Sequence, residues 1–143
     1  MIAIEPATDF DVVRQLIREY AASLGVDLSF QHIDEELRTL ETYYELILIA
    51  KDAGCIALRR IDGETCEMKR LYIRPSFRGT GLGRELALRL IGEARSRGYK
   101  RMRLDTLPMM QTAMKLYESL GFRDIAPYRY NPIEKSRYME LSL

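Results

Sequence analysis

Charge imbalance is the first thing this sequence lacks: 22 lysines and arginines stand against 21 aspartates and glutamates, a formal net of +1. That balance leaves no electrostatic footprint for a nucleic acid or an anionic membrane surface. Long apolar runs are missing too, with no stretch near the ~20 residues that a bilayer span requires. The opening residues Met1-Ile-Ala-Ile-Glu5 have neither the basic nor the apolar region of a secretory leader, so a cytoplasmic protein is expected. Histidine occurs once and cysteine twice. That is too few ligands for a closed metal centre when His32 is remote in sequence from both thiols, so no metal is expected. Cys55 and Cys66 are also unsuited to a disulfide. If Asp62-Gly63 turns a hairpin, residue 66 faces about residue 59, and the thiols sit roughly 13 Å apart at about 3.3 Å per residue. Bridging needs Cα atoms within about 7 Å. Both cysteines are expected to be reduced core or sheet residues, and His32 is expected at the surface before the acidic helix start Asp34-Glu35-Glu36.

What is present describes one globular domain over residues 1 to 143, with 47% hydrophobic and 30% charged residues, enough to bury a sizeable core. Residues 2 to 4 read as a short strand. Thr8 is placed to cap a helix whose Val12, Leu16, Ile17, Tyr20 and Leu24 share a face and which Gly25 stops. A second helix is expected near 33 to 43. The pattern then changes to strands near 45 to 51, 54 to 61 and 65 to 74, parted by turn signals at Asp52-Ala53-Gly54 and Asp62-Gly63, which makes an antiparallel meander. A long helix from Gly81 to Arg97 buries Leu82, Leu86, Leu90 and Ala94 and ends at Gly98. A strand over 102 to 106, a helix near 109 to 120 ended by Gly121, and an extended tail through Tyr128 and Tyr138 complete the chain. The fold class is therefore α/β, with a mixed sheet and helices on both of its faces.

The most telling stretch is residues 67 to 83, Glu-Met-Lys-Arg-Leu-Tyr-Ile-Arg-Pro-Ser-Phe-Arg-Gly-Thr-Gly-Leu-Gly. It reads as a strand feeding a glycine-rich turn that opens a helix. Amides at a helix start lack partners and lie at the positive end of the dipole, so a turn without side-chain bulk admits a diphosphate. Gly79, Gly81 and Gly83 remove that bulk, Arg78 adds a fork of charged donors, and Thr80 adds a hydroxyl. A Walker loop would need Gly-Lys followed by Ser or Thr, and Gly83 precedes Arg84 and Glu85 instead. A dinucleotide fingerprint beginning at Gly79 would require glycine at 84. Arg84 fails it, although Asp105 closes the next strand about where a ribose-binding acid would be sought.

The pattern that fits is Arg-x-x-Gly-x-Gly at Arg78, Gly81 and Gly83. It resembles the acetyl-CoA loop of the GNAT superfamily of N-acetyltransferases. Residues 113 to 122, Ala-Met-Lys-Leu-Tyr-Glu-Ser-Leu-Gly-Phe, resemble that family's second signature. The likeness covers residues 45 to 125 closely and the first 40 only in general layout. It implies a single-domain, mostly antiparallel sheet of about six or seven strands, split where the strands holding 65 to 74 and 101 to 106 splay apart. It implies acetyl-CoA as co-substrate and an amine as acceptor, and leaves a homodimer open. The pantetheine arm would run along Leu71, Tyr72 and Ile73 as an added strand. The diphosphate would fall on Arg78, Gly79, Thr80, Gly81, Leu82, Gly83 and Arg84. Met110 stands where the family often has an asparagine, which removes one side-chain contact.

Acyl transfer to an amine needs a carboxylate to take a proton, a donor for the oxyanion and an acid for the expelled thiolate. The resemblance places Glu67 as base and Tyr117 as acid, with the Leu71 amide as oxyanion donor. Glu67 has a plainer alternative as a solvated strand residue beside Lys69 or Arg60, and Tyr117 one as a core aromatic at ordinary helix spacing. Lys69, Arg70 and Arg74, with Tyr128, Tyr130 and Asn131 in the tail, are candidates to hold an acceptor carboxylate. A function from another class is also open: an acyl-CoA-binding regulatory module without catalysis.

Overall fold

Alternation between two helical faces and a central sheet organises the chain in the computed structural model, which describes residues 2 to 25 and 32 to 143. In order, the elements are β1 (Ile4–Pro6), α1 (Phe10–Leu24), α2 (Ile33–Arg38), α3 (Leu40–Tyr43), β2 (Leu46–Ala50), β3 (Gly54–Arg60), β4 (Thr65–Ile73), α4 (Leu82–Ser96), β5 (Arg101–Thr106), α5 (Gln111–Ser119), β6 (Arg123–Asp124) and β7 (Arg137–Ser142). A 3₁₀ turn at Pro75–Phe77 joins β4 to the glycine turn.

The seven strands lie in the order β1-β2-β3-β4-β5-β7-β6. Every neighbouring pair is antiparallel except β4 and β5, which run parallel as the helical crossover between them requires. Leu82, Leu86, Leu90 and Ala94 are buried as their spacing predicts, and they pack with Met68, Met102, Leu104 and Met139 on one face of the sheet. The opposite face is covered by α1 and α3 through Val13, Ile17, Leu40 and Tyr44, with Leu16 against Cys55 and Tyr72.

Four local expectations need correction. The N-cap of α1 is Asp9, whose carboxylate accepts from the amides of Asp11 and Val12, and not Thr8. The helix expected over 33 to 43 is interrupted at Thr39, where φ of −115° breaks the winding. The first strand begins two residues late, at Ile4. Cys66 pairs with Arg60, one place along from the expected partner. Both thiols are free and buried, and burial pushes each up to about 12.

Strand β4 carries the feature that shapes the site. Between the pairs Cys55↔Tyr72 and Ala57↔Lys69, β4 contains one residue more than β3. The extra residue swaps the faces of everything after it, so Leu71 and Ile73 join Cys66 and Met68 on the α4 side while Tyr72 turns toward α1. Arg70 sits at the bulge with φ of 59°, a left-handed conformation that a long side chain adopts only when its surroundings enforce it. Enforcement comes from Glu36 on α2, which accepts from Arg70 Nε at 2.9 Å and Nη2 at 2.7 Å. Both side chains are buried. Gly54 is needed opposite Ile73, past the bulge, because a Cβ there would meet the Tyr72 carbonyl at 2.2 Å.

Candidate functional site

Pairing of β4 with β5 runs through Thr65↔Arg101, Cys66↔Met102 and Glu67↔Arg103, the last pair in the register. β4 continues six residues beyond Glu67, and the two strands diverge there. The cleft that opens is lined by Tyr20 from α1, Met68, Lys69, Arg70 and Leu71 from β4, Asp105 and Leu107 from the far end of β5, and Met110 and Tyr117 from α5. The space between these residues, together with the open solvent at the mouth, amounts to about 440 Å³.

The glycine turn stands where β4 leaves the sheet. Gly79 and Gly81 both hold positive φ, 78° and 84°, and a Cβ at either position would have nothing within 4 Å. Backbone conformation and open space therefore coincide, so glycine is required by the turn and leaves its amides approachable. Gly81 is the N-cap of α4 without any side-chain cap, and its carbonyl accepts the first helical bond, from Glu85. The amides before Glu85 lie in the first turn, where a helix supplies no internal acceptor. Arg78 donates through Nε to the Ile73 carbonyl at 2.9 Å, which fixes the exit of β4. Thr80 donates to the Phe77 carbonyl at 2.7 Å. Arg84 reaches across to Ser119 Oγ on α5 at 2.9 Å. Leu82 faces inward into the core, and a Cβ at Gly83 would meet the Ile73 and Leu116 side chains at 3.8 and 3.9 Å. An anionic, diphosphate-bearing ligand fits this cradle.

Tyr117 occupies the cleft wall with 5% of its surface exposed and its ring tilted against Phe122 at 5.8 Å between centroids. Burial first, then the neighbouring Tyr20 and Asp105, pushes its hydroxyl well above the usual tyrosine range. Glu67 lies deeper and is fully buried, below the point of divergence. Tyr128 donates to its Oε2 at 2.7 Å, Arg129 donates to the same oxygen, and Lys69 Nζ lies 4.0 Å from Oε1. Oε1 itself has no hydrogen-bond partner. The alternative pairing with Arg60 is not formed; Arg60 lies opposite Cys66. Desolvation lowers the Lys69 ammonium to about 8.

The three basic residues read as acceptor contacts separate in the structure. Lys69 and Arg70 line the cleft, but Arg70 is bound to Glu36, and Arg74 is held by Glu19 at 2.9 Å. In the tail, Tyr128 reaches Glu67, whereas Tyr130 is 77% exposed. Arg129, Glu36 and Asp105 enter the polar layer without having been marked by sequence reasoning for these places. Their signal is tertiary: Arg129 and Glu67 are 62 residues apart in the chain.

A parallel strand pair that separates in mid-sheet, with a bulge on one strand and a bare helix start at its mouth, defines an acyl-CoA-dependent acyltransferase. The chain belongs to the acetyltransferase (GNAT) family, whose model matches residues 11–122. It is similar to an uncharacterised N-acetyltransferase of Schizosaccharomyces pombe, 38% identical over 99% of this chain and 93% of that protein. An IAA acetyltransferase of Azospirillum brasilense is 34% identical over 93% of this chain and 92% of that one. Among solved structures, an acetyltransferase from Salmonella typhimurium with its cofactor acetyl-CoA superposes with a TM-score of 0.70 at 25% identity, covering 99% of this chain and 94% of that one. The protein is an N-acetyltransferase.

Proposed function

We propose that this enzyme moves an acetyl group from acetyl-CoA directly to a primary amine, with both partners held together and no covalent enzyme intermediate. One observation carries the reading: the divergence of β4 from β5 after Glu67 opens a cleft that Tyr117 and Leu71 line, beside a glycine turn with open space over its backbone. When bound, acetyl-CoA supplies an activated acetyl thioester. Gly79, Thr80, Gly81, Leu82, Gly83 and Arg84, with Arg78 alongside, are the residues to hold its diphosphate, and Leu71, Tyr72 and Ile73 those to hold its pantetheine arm. The acetyl-CoA found in the S. typhimurium structure supports acetyl-CoA as the co-substrate.

An ordinary amine, with pKa near ~10, is mostly protonated at neutral pH and must lose a proton before it attacks. Glu67 is the carboxylate for that task, with Oε1, the oxygen without a hydrogen-bond donor, taking the proton directly or through water. Tyr117 is the acid for the departing thiolate, since its buried hydroxyl stays protonated at physiological pH. The Leu71 amide, on the bulge, is the donor for the developing oxyanion. Calorimetric titration with acetyl-CoA, followed by a free-thiol assay against a panel of primary amines, tests the reading. Saturable binding and amine-dependent thiol release are expected. Binding without release to any amine would contradict transfer, and no binding would contradict the site itself.

A further inference from the structure

Four carboxylates around the polar side of β4 and β5 are matched to cations. Glu36 is bound by Arg70, Glu67 by Arg129, Glu19 by Arg74, and Glu140 by Arg103 at 2.8 Å. Asp105, the acid that lines the cleft, has no hydrogen bond or ion pair through its carboxylate among the described residues. It is half-buried on β5, two residues beyond the last β4–β5 pair, and so lies within the divergence where Glu67 lies beneath it. It shares the cleft wall with Tyr117 and Lys69. A carboxylate that lines a cleft and has no protein partner there is free to pair with a cationic ligand.

We infer that Asp105 is the acceptor-binding carboxylate, which receives the ammonium group of a cationic primary amine and holds it beside the Tyr117 hydroxyl. The inference rests on the transferase reading above, but its binding step involves no covalent change. It separates two duties in one cleft: Asp105 selects and positions the cationic acceptor, and Glu67, sealed below by Tyr128 and Arg129, is left for the proton.

The test uses benzylammonium as probe and benzyl alcohol as its uncharged counterpart, with the carboxyl carbon resonance of Asp105 followed by NMR in the intact protein. Benzylammonium should shift that resonance saturably, and benzyl alcohol should not. Asp105→Asn should bind benzylammonium about 10- to 100-fold more weakly, the worth of a charged hydrogen bond, and Asp105→Glu should recover part of the loss. In the thiol-release assay, Asp105→Asn should raise KM for whichever of benzylamine, spermidine and lysine is acetylated, with acetyl-CoA affinity unchanged. An Asp105 resonance indifferent to benzylammonium overturns the inference. So does thiol release with an unaltered amine KM in Asp105→Asn, an outcome that leaves the transferase reading standing. Probe binding at Asp105 without any thiol release supports this site while removing transfer.

Discussion

The α4 side of β4 and β5 and the side facing α1 and the tail are built from alternate residues of the same strands, yet they differ in kind. Toward α4 point Cys66, Met68, Met102 and Leu104, joined after the bulge by Leu71 and Ile73, an apolar layer that packs on Leu86, Leu90 and Ile91. Toward α1 and the tail lie Glu67, Lys69, Arg103 and Asp105, capped by Tyr128, Arg129 and Tyr138. One side is held by burial, which is non-directional and tolerant of small shifts. The other is held by charge-assisted hydrogen bonds, each of which fails if its partner is removed. On the proposed reading, helix α4, whose start would hold the diphosphate, packs on the first side, and the proposed acceptor contacts belong to the second. The proposal therefore predicts that acceptor specificity can change without disturbing the cradle for acetyl-CoA.

The largest effect that would break this separation is Gly81→Glu. Bulk and negative charge at a position with φ of 84° and open space should remove measurable acetyl-CoA binding by calorimetry while leaving the polar layer folded. Unchanged affinity would place the cofactor elsewhere. Next comes Glu36→Ala, which takes the bidentate partner from a buried guanidinium and should destabilise the fold by about 3–5 kcal/mol in urea denaturation. A loss below about 1 kcal/mol would show that the bulge does not depend on this pair.

Lys69 sharpens the contrast through pH. Its ammonium is lowered from 10.5 to about 8 by burial, so the folded state gives up this proton before the unfolded chain does. Stability should rise as pH climbs from about 8 toward 10.5, by up to about 3 kcal/mol in all. Denaturation of Lys69→Met across the same range should show that rise flattened, and an identical slope would mean the burial penalty is not borne by Lys69. Smaller again is Tyr117→Phe, expected to lower kcat about 100-fold, or about 2.7 kcal/mol, with acetyl-CoA affinity kept. Equal rates would return Tyr117 to a packing role beside Phe122.

How far these features can be read from sequence follows the same division. Helix α4 announces itself by apolar spacing and by glycine at both ends, and the glycine turn is a local signal complete within six residues. The bulge has no such signal. Arg70 is neither glycine nor asparagine, and its left-handed backbone is imposed by Glu36, 34 positions away. Thr8 and Asp9 are both competent caps one residue apart, and the structure gives the place to Asp9, whose backbone is extended and whose carboxylate accepts from the Asp11 and Val12 amides. Asp105 is legible as a strand-end acid, but its lack of a partner among the described residues becomes apparent only when the partners of its neighbours are known.

A crystal structure with CoA and a bound acceptor amine would test the central claim most directly. The account predicts diphosphate oxygens within hydrogen-bonding distance of the amides of residues 79 to 84, the pantetheine arm along residues 71 to 73, and the sulfur near the Tyr117 hydroxyl. It also predicts the amine on the Asp105 side of the cleft. A cofactor lying along any other groove, or an amine entering from the α4 side, would contradict it.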